Sequence, residues 1–184
     1  MTHVALPLPG FSSPAVGFEQ PFDMLHACHE RVQRTLNLLD RLLAHIAQNG
    51  HDSASRSAAA DVLRYFDIAA PHHHQDEERH VFPALAAQAA LQPALQSAIH
   101  QLLAEHQRLT QLWAELRPSL LLWRDAATPA TPNAAELALC HELVTLYQAH
   151  IALEETQIYP AAAQQFSPEG LARIGAEMQG RRRT

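Results

Sequence analysis

Twice along the chain the sequence reads H-x-x-x-E-E-x-x-[VI]-[FY]-P-A, as HHQDEERHVFPA at 73–84 and as HIALEETQIYPA at 150–161. The copies stand 77 residues apart, and the same shift superposes His29 on His106, Leu25 on Leu102, Arg31 on Arg108, Val32 on Leu109, Leu36 on Trp113, Leu39 on Leu116 and Leu43 on Leu120. One register therefore relates both halves, and the chain reads as two copies of a single structural unit.

The unit is a helix pair. From Pro21 to about Asn49 the apolar positions Phe22, Leu25, Val32, Leu36, Leu39, Leu43 and Ile46 step by three and four, with Gly50 as a stop. A second segment opens near Asp52 or Ser53 and runs through Val62, Leu63 and Phe66 to Pro71 and on to Pro83; Pro71 is expected to kink or restart it. From about Pro93 to Asp125 the three-four stepping returns, and after a Pro/Thr loop Asn133 and Glu136 form a capping pair for a fourth helix. Ser167, Pro168 and Glu169 start a short terminal helix. The expected fold is all-α: an antiparallel up-down four-helix bundle with an internal pseudo-twofold repeat and a short C-terminal helix. Its expected divisions are a Pro-rich leader at 1–18, the bundle at 19–165, and the helix with a basic tail at 166–184.

Composition narrows the function classes. A net charge of −6 with 13 basic residues, all of them Arg and scattered apart from Arg181, Arg182 and Arg183, argues against nucleic acid as a partner. The Arg run is expected to be a solvated tail. The leader has no basic start and is broken by Pro7, Pro9 and Pro14, so no signal peptide and no membrane anchor is expected; with two isolated cysteines this points to the cytoplasm.

Histidine is the anomaly, at 13 residues against 19 acidic ones. His29 and His106 each fall in the apolar seam of a helix. The i, i+4 spacing sets His73 beside Glu77 and His150 beside Glu154 on one helix face, about 5 to 6 Å apart at Cβ. Buried without partners, such groups would cost roughly 2 to 7 kcal/mol each; a cation satisfies all of them together. Thiolates are absent from the set and two hard carboxylates are present, so the donors suit two iron ions, each taking two imidazoles and shared carboxylate oxygens and keeping open positions. The expected cofactor is a non-haem di-iron centre, Fe2+ or Fe3+, bridged by oxo, hydroxo or water.

At these residues the sequence resembles the hemerythrin-like, or HHE cation-binding, family over about residues 20 to 163. The doubled H-x-x-x-E-E-x-x-hydrophobic-[FY]-P motif carries the resemblance, with His29 in CHER and His106 in AEHQRL as the seam histidines. The resemblance implies His29, His73, Glu77, His106, His150 and Glu154 as di-iron ligands, with Glu77 and Glu154 bridging. Oxygen-carrying members place two histidines four apart on the third helix; here the residues four either side of His106 are Leu102 and Thr110. One ligand is missing from that pattern. The departure leaves a more open iron, as in members linked to nitric oxide, peroxide or iron handling.

Several positions carry two readings. His74 is an alternate to His73, since His74 to Glu78 is also i, i+4; the repeat favours His73, because His74 aligns with Ile151. Glu78 and Glu155 recur together, as partners of ligand histidines or as exposed acids. Tyr147, three residues before His150, either bonds a ligand at the iron or packs in the core, where Trp113 and Trp123 are also expected. Glu77-x-x-His80 imitates half of a ferritin-type motif, but the other half reads Glu154 to Gln157. The functions that follow are capture of O2 or NO, or sensing and buffering of iron and of oxidative or nitrosative stress. The alternatives are a di-iron oxidase or peroxidase consuming O2 or H2O2 with an unidentified redox partner, and a structural bundle with a vestigial site.

Overall fold

The computed structural model describes residues 17–89, 92–126 and 131–182; most of the leader, part of the Pro/Thr loop and Arg183 lie outside them. The regular structure of the described residues is all helical, with no strand among them. Helix α1 spans Pro21–Asn49 and stops at Gly50, whose φ of 73° lies in the left-handed region glycine favours. Asp52 and Ser55 cap the next helix reciprocally: the Asp52 carboxylate accepts from the Ser55 N–H at 2.8 Å and the Ser55 hydroxyl accepts from the Asp52 N–H at 2.9 Å.

The second helical run is continuous from Ser53 to Ala89, as α2 (Ser53–Arg64), α3 (Ala70–Asp76) and α4 (Phe82–Ala89), joined by widened π-turns at Tyr65–Ala69 and Glu77–Val81. Helix α5 covers Pro93–Asp125. The fourth run is α6 (Ala134–Leu153), a third π-turn at Glu154–Ile158, and α7 (Tyr159–Ala163). The Asn133 and Glu136 side chains cap α6, each accepting a backbone N–H of the other residue.

Every π-turn is followed, two residues past its end, by a proline: Pro71, Pro83 and Pro160. A proline inside an α-helix lacks the N–H for its i−4 carbonyl and its ring collides with that carbonyl. A turn closed one residue wider, Ala70 N–H to Tyr65, Phe82 N–H to Glu77 and Tyr159 N–H to Glu154, makes room for the ring. Pro71 therefore does not restart the helix as the sequence suggests; the extra residue in the preceding turn absorbs it.

The runs form a ring in which α1 and α5 each lie between the second and fourth runs. Two apolar clusters fill it. One gathers Val32, Leu36, Leu39, Leu112, Leu116, Leu143 and their neighbours; the other gathers Met24, Leu25, Val81, Phe82, Leu102 and Ile158 and is closed by Ile174 and Met178 of α8 (Pro168–Arg181). Helix α8 lies so close to the chain entry that a Cβ on Gly175 would collide with the Phe18 carbonyl. Arg181 and Arg182 are not a solvated tail: both guanidinium groups grip the fully buried Asp76 carboxylate, Arg182 at 2.7 Å. A buried carboxylate demands such partners, and it draws the end of α8 onto the second run. The residues between the two apolar clusters are polar.

Candidate metal centre

That polar layer holds His29, His73, His74, Glu77, His106, His150 and Glu154, each nine-tenths or more buried. Helix α1 supplies His29, α3 with the turn after it His73, His74 and Glu77, α5 His106, and α6 with its turn His150 and Glu154. Both glutamates are the first residue of a π-turn, a helical feature frequent at functional sites.

The side chains sort into two niches that share the carboxylates. In the first, His29 Nε2 lies 3.1 Å from Glu154 Oε2 and 4.0 Å from Glu77 Oε1, and His73 Nε2 lies 3.5 Å from Glu77 Oε1. In the second, His106 Nε2 lies 3.5 Å from Glu77 Oε2 and 4.0 Å from Glu154 Oε1, and His150 Nε2 lies 3.2 Å from Glu154 Oε1. Each glutamate thus turns one oxygen to each niche. Donor atoms of His29, His73, Glu77 and Glu154 lie within 4.8 Å of one another, as do those of Glu77, His106, His150 and Glu154, and those of His74, His106 and His150.

The structure brings both His73 and His74 to the polar layer, one to each niche. His74 stacks on His106 with ring centroids 4.0 Å apart and planes 11° off parallel. It brings the second niche a third imidazole, in space where the sequence leaves α5 one histidine short.

The far sides of the rings are held by acids. His29 Nδ1 lies 2.9 Å from Glu155, His106 Nδ1 2.8 Å from Glu78, and His150 Nδ1 2.8 Å from Glu105. A carboxylate there fixes the tautomer, so that Nδ1 carries the proton and Nε2 faces the centre with a lone pair. Glu78 and Glu155 serve crosswise, each holding the seam histidine of the other half. Glu105 was not marked by the repeat, because its counterpart is Cys28. Tyr159 was also missed: its ring lies 5.2 Å from that of His29, nearly parallel, and its hydroxyl donates to Glu77 Oε1 and lies 3.1 Å from His29 Nε2. The signal was in the motif, where Phe82 and Tyr159 alternate at one position. Tyr147 lines the second niche, with its ring 6.1 Å from that of His74.

The donor set fits a cation. Glu77 Oε2, both Glu154 oxygens, His73 Nδ1 and His74 Nε2 are buried without a hydrogen-bond partner. His106 and His150 meet Nε2 to Nε2 at 3.2 Å while both Nδ1 atoms are committed to carboxylates, so two lone pairs confront one another unless a positive charge lies between them. Burial, helped by the Glu77 charge, holds the Glu154 carboxyl well above the ordinary carboxylate range. Burial pushes His73 down to about 3 and His74 well below the usual imidazole range, leaving both neutral as ligands must be. Burial opposes charge on His29 and His106 too, but the surrounding glutamates outweigh it and raise both.

The geometry agrees with the comparisons. The sequence pattern of the hemerythrin HHE cation-binding domain matches residues 20–162. A protein of Haemophilus influenzae, itself described as uncharacterized, is 30% identical over 165 residues, covering 90% of this chain and 91% of its own length. No helix among the described residues is long and apolar enough to cross a membrane. With the match spanning the whole polar layer, the chain belongs to the hemerythrin HHE cation-binding family.

Proposed function

We propose that the chain is a cytoplasmic di-iron protein, built as an antiparallel four-helix bundle, that captures a small diatomic ligand, O2 or NO, in sensing or scavenging. His29 and His73 would hold one iron, His74, His106 and His150 the other, and Glu77 and Glu154 would bridge them. The observation that carries this reading is the division of the two carboxylates, each with one oxygen toward each group of imidazoles. Two ferrous ions, when bound, supply open coordination positions and the electron density that a diatomic ligand requires.

The protein residues do the rest. Glu155, Glu78 and Glu105 keep the imidazole lone pairs aimed inward. The Tyr159 hydroxyl holds the Glu77 oxygen of the first niche in place. The apolar clusters on either side lower the local dielectric and strengthen the charge interactions between them. Elemental analysis with Mössbauer spectra of protein grown in iron-replete medium tests the reading, and two irons per chain are expected. Stopped-flow mixing of the diferrous protein with O2 or NO then separates the classes: a stable adduct supports capture, whereas sustained consumption of O2 or H2O2 with a reductant supports the oxidase or peroxidase alternative. A chain that takes up no stoichiometric metal would be a structural bundle.

A further inference from the structure

Beside the second niche the surface opens into a cavity of about 460 Å³ between the second helical run, α5 and α6. Its inner wall is the stacked pair His74 and His106, and its sides are the rings of Phe66, Trp113 and Tyr147. A water molecule's share of liquid volume is roughly 30 Å³, so a diatomic ligand would leave nearly all of this space unused. The size falls within the range of pockets for small organic molecules, roughly 300 to 1,000 Å³.

The walls are fixed and the lip is polar. Phe66 lies 5.0 Å from Trp113 and 5.6 Å from Tyr147, centroid to centroid. The Trp113 indole N–H donates to Asp67 at 2.9 Å, and Arg117 grips both oxygens of that carboxylate, so the indole, half-buried against the core, is held in position. The exposed carboxamides of Gln75, Gln107 and Gln111 line the rim, and Tyr147, buried as a residue, lines the cavity beneath them. The one charged side chain in the lining is Glu78, already committed to His106, which disfavours an anion. The repeat explains the space: Ala70, in the lining, stands where the other half carries Tyr147.

We propose that this cavity binds an uncharged aromatic alcohol of one or two rings, its rings against Phe66, Trp113 and Tyr147 and its hydroxyl on the Tyr147 hydroxyl or a rim carboxamide. Binding of the ring itself does not rest on the metal reading; only its position against the imidazoles of the second niche connects the two.

The probe is 2-naphthol, titrated calorimetrically into the full chain with iron content measured in parallel. Saturable binding is expected with Kd below about 1 mM. Thr110→Trp, a change at an exposed rim position, fills the cavity and should weaken binding at least about tenfold, about 1.4 kcal/mol, with iron content unchanged. Gln107→Trp makes the same test from a second rim position should the first variant not fold. Gln33→Trp places equal bulk at the repeat equivalent of Thr110 and should leave the affinity within about twofold. Absence of saturable binding, or equal loss in the Thr110 and Gln33 variants, overturns the proposal. A chain without iron that still binds 2-naphthol and answers to Thr110→Trp sinks the metal reading alone; a chain with iron that ignores 2-naphthol sinks the cavity alone.

Discussion

The two niches descend from one repeated pattern and differ in what closes them. The His29–His73 niche is closed by Tyr159, whose phenol stacks on one imidazole and bonds the shared Glu77 carboxylate. The His106–His150 niche has Phe82 at the equivalent position, gains His74 as an extra imidazole, and backs onto an open cavity. The repeat sets out the donors in pairs, and single differences between its halves make the pair unequal: one side is enclosed and oxygen-rich, the other nitrogen-rich and reachable from outside. Only the carboxylates still treat the two sides alike.

The sharpest way to break the comparison is to remove what the niches share. Glu77→Ala is expected to abolish metal at both positions, read as a fall from two irons to none by elemental analysis; retention of one iron would show that the niches hold metal independently. Next come the neighbours that divide them. His73→Ala should cost the enclosed position its iron and His74→Ala should perturb only the open one, so Mössbauer spectra of the two variants should retain different components of the wild-type pair. Identical spectra would remove the distinction. A smaller effect belongs to Glu105, which supports His150 while its counterpart Cys28 cannot play that part for His73: Glu105→Ala should weaken metal binding about 10- to 100-fold at the open position alone, measured by competition with a chelator.

The smallest effect lies on the cavity wall. The hydrogen bond from Arg117, with that from Trp113, holds the Asp67 carboxyl below the ordinary carboxylate range, against the opposing effect of burial. Its folded pKa being depressed, the pair's contribution is fully present above the unfolded value of about 3.9 and is lost as pH falls through the folded one. The group is partly exposed, so the contribution is under about 1 kcal/mol. Asp67→Asn should remove that acid-side loss, followed through tryptophan fluorescence in urea unfolding at a series of pH values.

The repeat explains both what the sequence disclosed and what it hid. Residues present in both halves stood out: His29 with His106, His73 with His150, Glu77 with Glu154, and Glu78 with Glu155. The helix ends were equally plain, because Gly50, Asp52, Asn133 and Ser167 act through local backbone bonds. Residues that make the halves unequal were invisible to the same logic. His74 pairs with Ile151, Glu105 with Cys28, Tyr159 with Phe82 and Asp76 with Leu153, so symmetry offered no reason to single them out. The π-turns were hidden for another reason: proline announces a broken helix, and only tertiary packing shows that one wider turn relieves the clash.

The crosswise service of Glu155 to His29 and of Glu78 to His106 has an evolutionary consequence. A single helix pair carries a seam histidine without the acid that steadies it, and an acid without its histidine. Such a fragment is complete only against a second copy of itself, so the ancestral unit would have worked as a homodimer before gene fusion made its partner part of the same chain. Expressed separately, the present halves should seek each other rather than stand alone.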